Sequence, residues 1–312
     1  MGDISIIIVS WNARTHLRNC LNSIRDQGAP VVREVIVVDN ASTDGSPEMV
    51  AAEFPEVNLI QTGKNLGFAK ANNVGIRQAK GTLLALINSD VLIHAGCLQK
   101  LADFLDDNAQ AGLVGPKVTG GDGLLQLTCG CLPNIRNTLC EFLLLHQIFP
   151  RSRWFSGFQL RELAYARPEA VEVLSGCFWL ARRDAVEKVG GLDERFFFYA
   201  EDIDWCKRFS DGGWKIFLVP VANATHFGGG SSANAPLRYS IEILRANLLY
   251  WNIHHGRWGQ AAFYSLALVQ HGFRLIFRGL SALFQLGRDK ATLGKFRQHL
   301  ICIRWLLTGK GV

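Results

Sequence analysis

The chain has 312 residues, of which 48% are hydrophobic and 19% charged, and a net charge of +6. That composition excludes a disordered or low-complexity chain, and the length allows a large domain with an appendage, buried without covalent staples. The eight cysteines form no CxxC pair and no zinc-finger spacing, so they read as reduced, mostly buried thiols.

Ile4 to Ser10 is a β-branched run suited to a buried parallel strand. Thr15 to Gln27 then sets Leu17, Cys20, Leu21 and Ile24 at helical spacing. Glu34 to Val38 is a second strand, ending at Asp39-Asn40, and Ser46 to Phe54 a second helix. Val57 to Gln61, Gly67 to Ala79 and Leu83 to Ile87 continue as strand, helix and strand, the last ending at Asn88-Ser89-Asp90. Cys97 to Asn108 is again helical. This βαβα order predicts an α/β fold with a mostly parallel sheet and helices on both faces. After Gly112 the pattern loosens: Gly120 to Gly123 is a turn, and Leu143 to Tyr165 is aromatic and irregular. Strand-like residues return over Val171 to Arg182, followed by helices over Asp184 to Val189 and Ala200 to Ser210. Lys215 to Val219 is one more strand, Gly228 to Ser232 a glycine-rich loop, and the chain is helical from Arg238 onward.

In open α/β sheets, ligands sit beyond the carboxyl ends of the strands. Asp39 stands at such an end and can accept from a nucleobase N–H or hold a metal; turn formation with Ser42 and Asp44 is the competing use. Asn65, Asn72 and Asn73 with two glycines surround a helix entrance, where amides meet anions or sugars. Asp90 is placed to hold Mg²⁺ or Mn²⁺, which prefer oxygen ligands and diphosphate. Phe196 to Tyr199 set four aromatic rings directly before Glu201, Asp202 and Asp204. A carboxylate beside apolar rings is desolvated and suits a general base, while acidic residues in a first helical turn also favour the helix. His226 follows a strand and serves either as a structural residue or as a ligand. No GxGxxG follows the first strand, which excludes a Rossmann dehydrogenase.

Taken together these stretches resemble an inverting glycosyltransferase of the GT-A fold, family 2 type. The resemblance is closest to rhamnosyltransferase-like and galactofuranosyltransferase-like members. It is carried by Ile7 to Asn12, Val37 to Ser46, Asn65 to Asn73, Asn88 to Asp90, Gly191 to Phe197 and Glu201 to Asp204. It implies a GT-A catalytic domain over residues 1–236 and a helical extension over 237–312. It also implies that Asp39 binds the nucleobase, with Ser10 and Asn12 nearby. Asn65 and Asn72, with Asn88 and Ser89, would help hold the donor. Asp90 would close a DxD-type motif around Mg²⁺ or Mn²⁺, with His226 as a further ligand. Asp202 would be the general base, and Glu201, Trp179 and Trp205 would border the acceptor. Asn88 stands where the motif usually has Asp, so less charge is offered to the metal. The reaction implied is sugar transfer, with rhamnose a fitting sugar, from a dTDP- or UDP-sugar to a glycan or polyprenyl-linked glycan. A sugar nucleotidyltransferase and a non-catalytic carbohydrate-binding scaffold are the alternatives.

From Leu237 to Val312, eleven Lys and Arg oppose only Glu242 and Asp289, a net charge of +9 that leaves −3 for residues 1–236. A basic, apolar tail predicts an anionic surface as partner, with a helix packed on the catalytic domain, its Arg solvated, or a homodimer contact as the other uses of its apolar residues. No nucleic-acid motif accompanies the charge. The first residues lack the basic and apolar regions of a secretion signal. A cytoplasmic protein at the inner face of the membrane is therefore expected.

Overall fold

The computed structural model describes residues 3–26, 32–149, 152, 154–155, 165–228, 236–284 and 290–310. The glycine-rich loop expected to reach Ser232 lies outside them from Gly229 onward. The elements run β1 (Ile4–Ser10), α1 (Arg14–Arg25), β2 (Val32–Asp39), α2 (Ser46–Glu53), β3 (Asn58–Gln61), α3 (Phe68–Gln78), β4 (Leu83–Asn88), β5 (Val91–Ile93), α4 (Cys97–Asp107) and β6 (Ala111–Thr119). Then come β7 (Leu125–Gln126), β8 (Cys129–Gly130), α5 (Ile135–Phe142), α6 (Leu145–Ile148), β9 (Glu169–Val171), β10 (Val173–Leu174) and β11 (Phe178–Arg182). The chain closes with α7 (Arg183–Val189), α8 (Glu201–Asp211), β12 (Lys215–His226), α9 (Pro236–Phe284) and α10 (Lys290–Thr308).

The chain divides into two compact units. The first holds Met1–Leu132, Gln159–Phe197 and Glu201–Gly228; the second holds Pro133–Phe158, Phe198–Ala200 and Gly229–Val312. The first unit is built on a sheet of order β3-β2-β1-β4-β11-β6-β12-β5. β3, β2, β1 and β4 are mutually parallel, as the alternating sequence predicts, and β12 is parallel to β6. β11 runs antiparallel between β4 and β6, and β5 antiparallel at the far edge. Strand side chains alternate between two cores. Ile4, Ile6 and Ile8 face α1, α2 and α4 through Leu17, Met49 and Leu98, while Ile7 faces α3 and α8 through Ala69 and Trp205.

β6 and the end of β12 escape the sequence pattern, as do the short strand β5 and the helix α5. β6 is a nine-residue strand across Gly112, Gly115 and Pro116, which obscure its periodicity. Gly112 is required by contact: a Cβ there would meet Trp214 Cβ at 2.8 Å. Pro116 has no N–H for the ladder. There β12 steps from Val219 to Asn223 against neighbouring residues of β6, then resumes pairing as far as Thr225. The expected strand end at Val219 is thus a bulge, and the strand continues to His226. All eight cysteines are free, and seven are buried, as expected.

In the second unit, α9 breaks at Gly256, whose φ is 67°. α10 packs on α9, with Tyr264 OH donating to Leu306 O at 3.1 Å and the His271 and His299 rings 3.0 Å apart at Nδ1. Among the described residues no helix is long and apolar enough to cross a membrane.

Candidate active site

The parallel pairing of β1 and β2 sets Ser10 opposite Asp39, and Val9 lies opposite Asn88 of β4. Three expected site residues therefore share one carboxyl edge of the sheet. Asp39 accepts from Ser42 N–H at 3.0 Å with Oδ2, but its buried Oδ1 has no partner. The buried Ser10 hydroxyl is likewise unpartnered. Buried polar atoms are rarely left so, and two side by side mark a place for a polar ligand. Asn12 adopts a left-handed φ of 50° and braces the neighbouring turn. Its side-chain Oδ1 accepts from Thr43 N–H at 2.7 Å and its backbone N–H donates to Ser42 Oγ at 2.9 Å.

The asparagine stretch is a brace between loops. Asn40, buried, accepts from Leu66 N–H at 2.7 Å and donates to Asn65 Oδ1 at 3.1 Å. Asn65 Oδ1 also accepts from Gly67 N–H. Asn72 donates to Phe68 O one turn back, so its amide nitrogen is held inside α3. Asn73 takes both the N–H and the carbonyl of Leu192, at 2.9 and 2.8 Å, and so anchors the segment leading to Phe196. Phe68 N–H donates to Phe197 O at 2.9 Å.

At the other end of the same edge, the antiparallel pairing of β5 with β12 sets His226 against Val91. His226 Nε2 then lies 3.3 Å from Asp90 Oδ1, and Gly228 N–H donates to Asp90 Oδ2 at 3.0 Å. Burial raises the Asp90 carboxyl, but the hydrogen bond and charge of His226 outweigh it and hold it below its ordinary value. Gln126 grips the far side of the imidazole. Its Nε2 donates to His226 O at 2.8 Å, which turns its Oε1 toward His226 Nδ1 at 3.0 Å. An amide oxygen only accepts, so Nδ1 carries a proton and Nε2 is the nitrogen directed at Asp90.

Glu201 and Asp202 open α8, just after two non-glycine residues in the left-handed region, Tyr199 (φ 73°) and Ala200 (φ 62°). Such turns persist where the surroundings enforce them and often aim functional groups. Glu201 is buried, its Oε2 unpartnered, and desolvation with the neighbouring Asp202 charge pushes it up to about 8. Asp202 keeps an intermediate exposure, yet protein crowds its carboxyl enough that burial raises its pKa, against the N–H groups of Ile203 and Gly176. Cys177, the next residue, accepts from Asn88 N–H at 2.9 Å with its carbonyl. Its thiol is pushed up to about 12 by burial and, to a smaller degree, by the charges of both Asp90 and Asp202. Gly176-Cys177 therefore joins Asp202 to the Asn88-Ser89-Asp90 turn.

The family model of Glycosyl transferase family 2 matches residues 5–190 of this chain. The chain belongs to that family. As a family 2 glycosyltransferase it is 29% identical over 286 residues to the N-acetylglucosaminyl-diphospho-decaprenol L-rhamnosyltransferase of Mycobacterium tuberculosis, covering 86% of this chain and 92% of that one. It is 26% identical over 267 residues to the dTDP-rhamnosyl transferase RfbF of Shigella flexneri, covering 81% of each. Among solved structures, the mannosyltransferase PcManGT of Pyrobaculum calidifontis, in complex with GDP-Man and Mn²⁺, aligns with a TM-score of 0.58 at 16% identity. That alignment spans 99% of this chain and 88% of the other, and supports the GT-A fold.

For this glycosyltransferase the structure corrects one expectation. Trp179 and Trp205 do not border an acceptor. Both are fully buried, 5.0 Å apart between ring centres, with their indole N–H groups bonded to Leu174 O and Gly190 O. They are core residues that seat α8 on the sheet. Gln126 and Gly176 are the residues that sequence reasoning passed over. Neither carries a local signal, because each acts on a partner distant along the chain.

Proposed function

We propose that this glycosyltransferase moves a hexose, with rhamnose the best fit, from a dTDP- or UDP-sugar to a hydroxyl of a glycan carried on a polyprenyl lipid. The reaction inverts the anomeric centre. The observation that carries this reading is the Gly176-Cys177 link, which joins the Asp202 carboxyl to the edge holding Asp90 and His226. The names of the Mycobacterium tuberculosis and Shigella flexneri relatives support rhamnose and the lipid-linked acceptor. The protein works at the inner face of the membrane, with residues 1–236 as its catalytic domain and 237–312 as its extension.

The open oxygens of Ser10 and Asp39 receive the nucleobase, with Asn12 bracing their loop. Asn65 and Asn72 shape the entrance for the sugar and diphosphate, beside Asn88 and Ser89. The acceptor hydroxyl gives its proton to Asp202, and its oxygen bonds to the anomeric carbon as the bond to diphosphate breaks. Glu201, largely protonated at neutral pH, avoids setting a second negative charge beside that base. Two neighbouring carboxyls thus take different protonation states from their environments.

Asp90 and His226 fit a divalent cation, Mg²⁺ or Mn²⁺. Among the described residues no three His, Cys, Asp or Glu side chains converge, but such ions often take one or two protein ligands and fill the rest with substrate phosphates and water. When bound, the ion offsets charge on the departing diphosphate.

Replacing Asp202 with Asn tests the assignment. Loss of a general base lowers kcat roughly 10²- to 10⁴-fold while nucleotide binding persists. Wild-type activity rises with pH through the raised Asp202 pKa, and the variant's residual rate lacks that limb. A variant that keeps kcat within a few-fold of wild type refutes the role.

A further inference from the structure

The C-terminal helices expose apolar surface on the side where a self-contained helix would be polar. Beyond Gly256, Trp258 of α9 is 89% exposed and Val269 71%, and Phe273, Ile276 and Phe277 are exposed as well. Every exposed position from Trp258 to Phe277 is uncharged. Arg274, the charge within that stretch, and Arg278, just after it, are only partly exposed. At 3.6 residues per turn they point nearly opposite to Val269 and Ile276. A helix that merely covers its own core shows the reverse arrangement. α10 adds a second stripe, in which exposed Arg297 and Arg304 alternate with exposed Leu300 and Leu307. α10 contains no Asp or Glu.

We propose that α9 and α10 lie flat on an anionic lipid bilayer, with the Phe273–Phe277 stripe at the acyl boundary and Arg297 and Arg304 on headgroup phosphates. A one-sided apolar stripe with basic neighbours is the geometry of a helix in the interfacial plane, not of one that spans. Charge decides between lipid and a second copy of the chain. A two-fold contact through α10 would bring arginine rows together with no acid on that helix to pair them. Anionic headgroups supply that charge, and each basic residue near such a surface strengthens binding. The proposal rests on the reading of a lipid-linked acceptor for its purpose, but the two fail separately, since lipid binding needs no nucleotide and nucleotide binding needs no lipid.

Co-sedimentation of the full chain with vesicles tests it. Vesicles of phosphatidylcholine mixed with phosphatidylglycerol should pellet the protein, salt should weaken the binding, and phosphatidylcholine alone should bind poorly. F273S/F277S and R297Q/R304Q should each lower the partition coefficient roughly tenfold or more. These side chains are exposed, so nucleotide binding and thermal unfolding should stay at wild-type values and show that both variants fold. Transfer to a water-soluble acceptor should be unchanged. Wild-type protein that stays in the supernatant, or variants that pellet equally well, would overturn the proposal. So would a wild-type dimer in sedimentation velocity that F273S/F277S dissociates without any lipid binding.

Discussion

Asp39→Asn is the most direct probe of the nucleotide end of the site. In the wild-type protein Oδ2 accepts from Ser42 N–H at 3.0 Å, and the buried Oδ1 is left for the ligand. Asparagine can keep the Ser42 bond with its one oxygen, but it then places an NH₂ where Oδ1 was. A nucleobase N–H would meet a donor instead of an acceptor. Loss of a hydrogen bond to a charged group costs about 1.5–3 kcal/mol, so nucleoside diphosphate should bind roughly ten- to a hundredfold more weakly. Removing a buried carboxylate oxygen that has no partner should leave the free protein as stable as before, or more so. Titration calorimetry with UDP and dTDP gives the affinity loss, and thermal unfolding without ligand gives the stability. Inorganic diphosphate serves as the control and should bind equally to both proteins. Undiminished nucleotide affinity, or an equal loss for inorganic diphosphate, would refute a role at the base.

Gln126→Leu should preserve the fold but release His226 from its fixed orientation. Loss of such an outer partner weakens metal binding by roughly 10- to 100-fold, which Mn²⁺ titration followed by electron paramagnetic resonance can read; unchanged Mn²⁺ affinity would count against the grip. Gly67→Ala should destabilise the protein by ~1–3 kcal/mol in urea denaturation. Gly67 holds φ 82°, and an added Cβ would lie 2.5 Å from Phe197 O. A loss below about 0.5 kcal/mol, the range of an ordinary surface change, would show that this approach relaxes freely. Glu201→Gln should flatten a pH dependence of stability. The unfolded carboxyl ionises near 4.5 and the folded one near about 8. Stability is therefore fully present below the lower value and falls as pH rises toward the upper one, by ~3 kcal/mol at neutral pH. Chemical denaturation across that range measures the slope, and equal slopes in both proteins would show that Glu201 is ionised in the folded state.

Much of the first unit was legible from local pattern. β1 to β4 and α1 to α4 alternate apolar runs with helical periodicity, and polar or glycine residues end each one. Those signals lie within a few residues of the structure they specify, so the boundaries of β1 and α2 agree with expectation to within a residue. β6 was hidden because Gly112, Gly115 and Pro116 serve contacts with residues distant along the chain, Trp214, Leu174 and Val219, which no local period encodes. The tryptophans misled for a related reason. A tryptophan reads the same in sequence whether it faces solvent or core, and here both rings pack inward.

The chemistry divides along the same line. Residue type and strand position alone placed Ser10, Asp39 and Asn88 on one carboxyl edge, because parallel βαβ units leave little choice of where strands end. The Asp90–His226 contact spans the chain from β4 to β12 and depends on the bulge beside Pro116 that lets β12 continue. Gln126 reaches His226 from a hundred residues away, and Gly176 reaches Asp202 from the turn before β11. Which proton each carboxyl keeps was likewise a matter of burial. Asp90 and Glu201 are chemically similar acids, but one sits against an imidazole and an N–H while the other is enclosed with no partner for Oε2. Sequence carries the groups; only their packing sets the dielectric and the neighbours that make one carboxyl give up its proton and the other hold it.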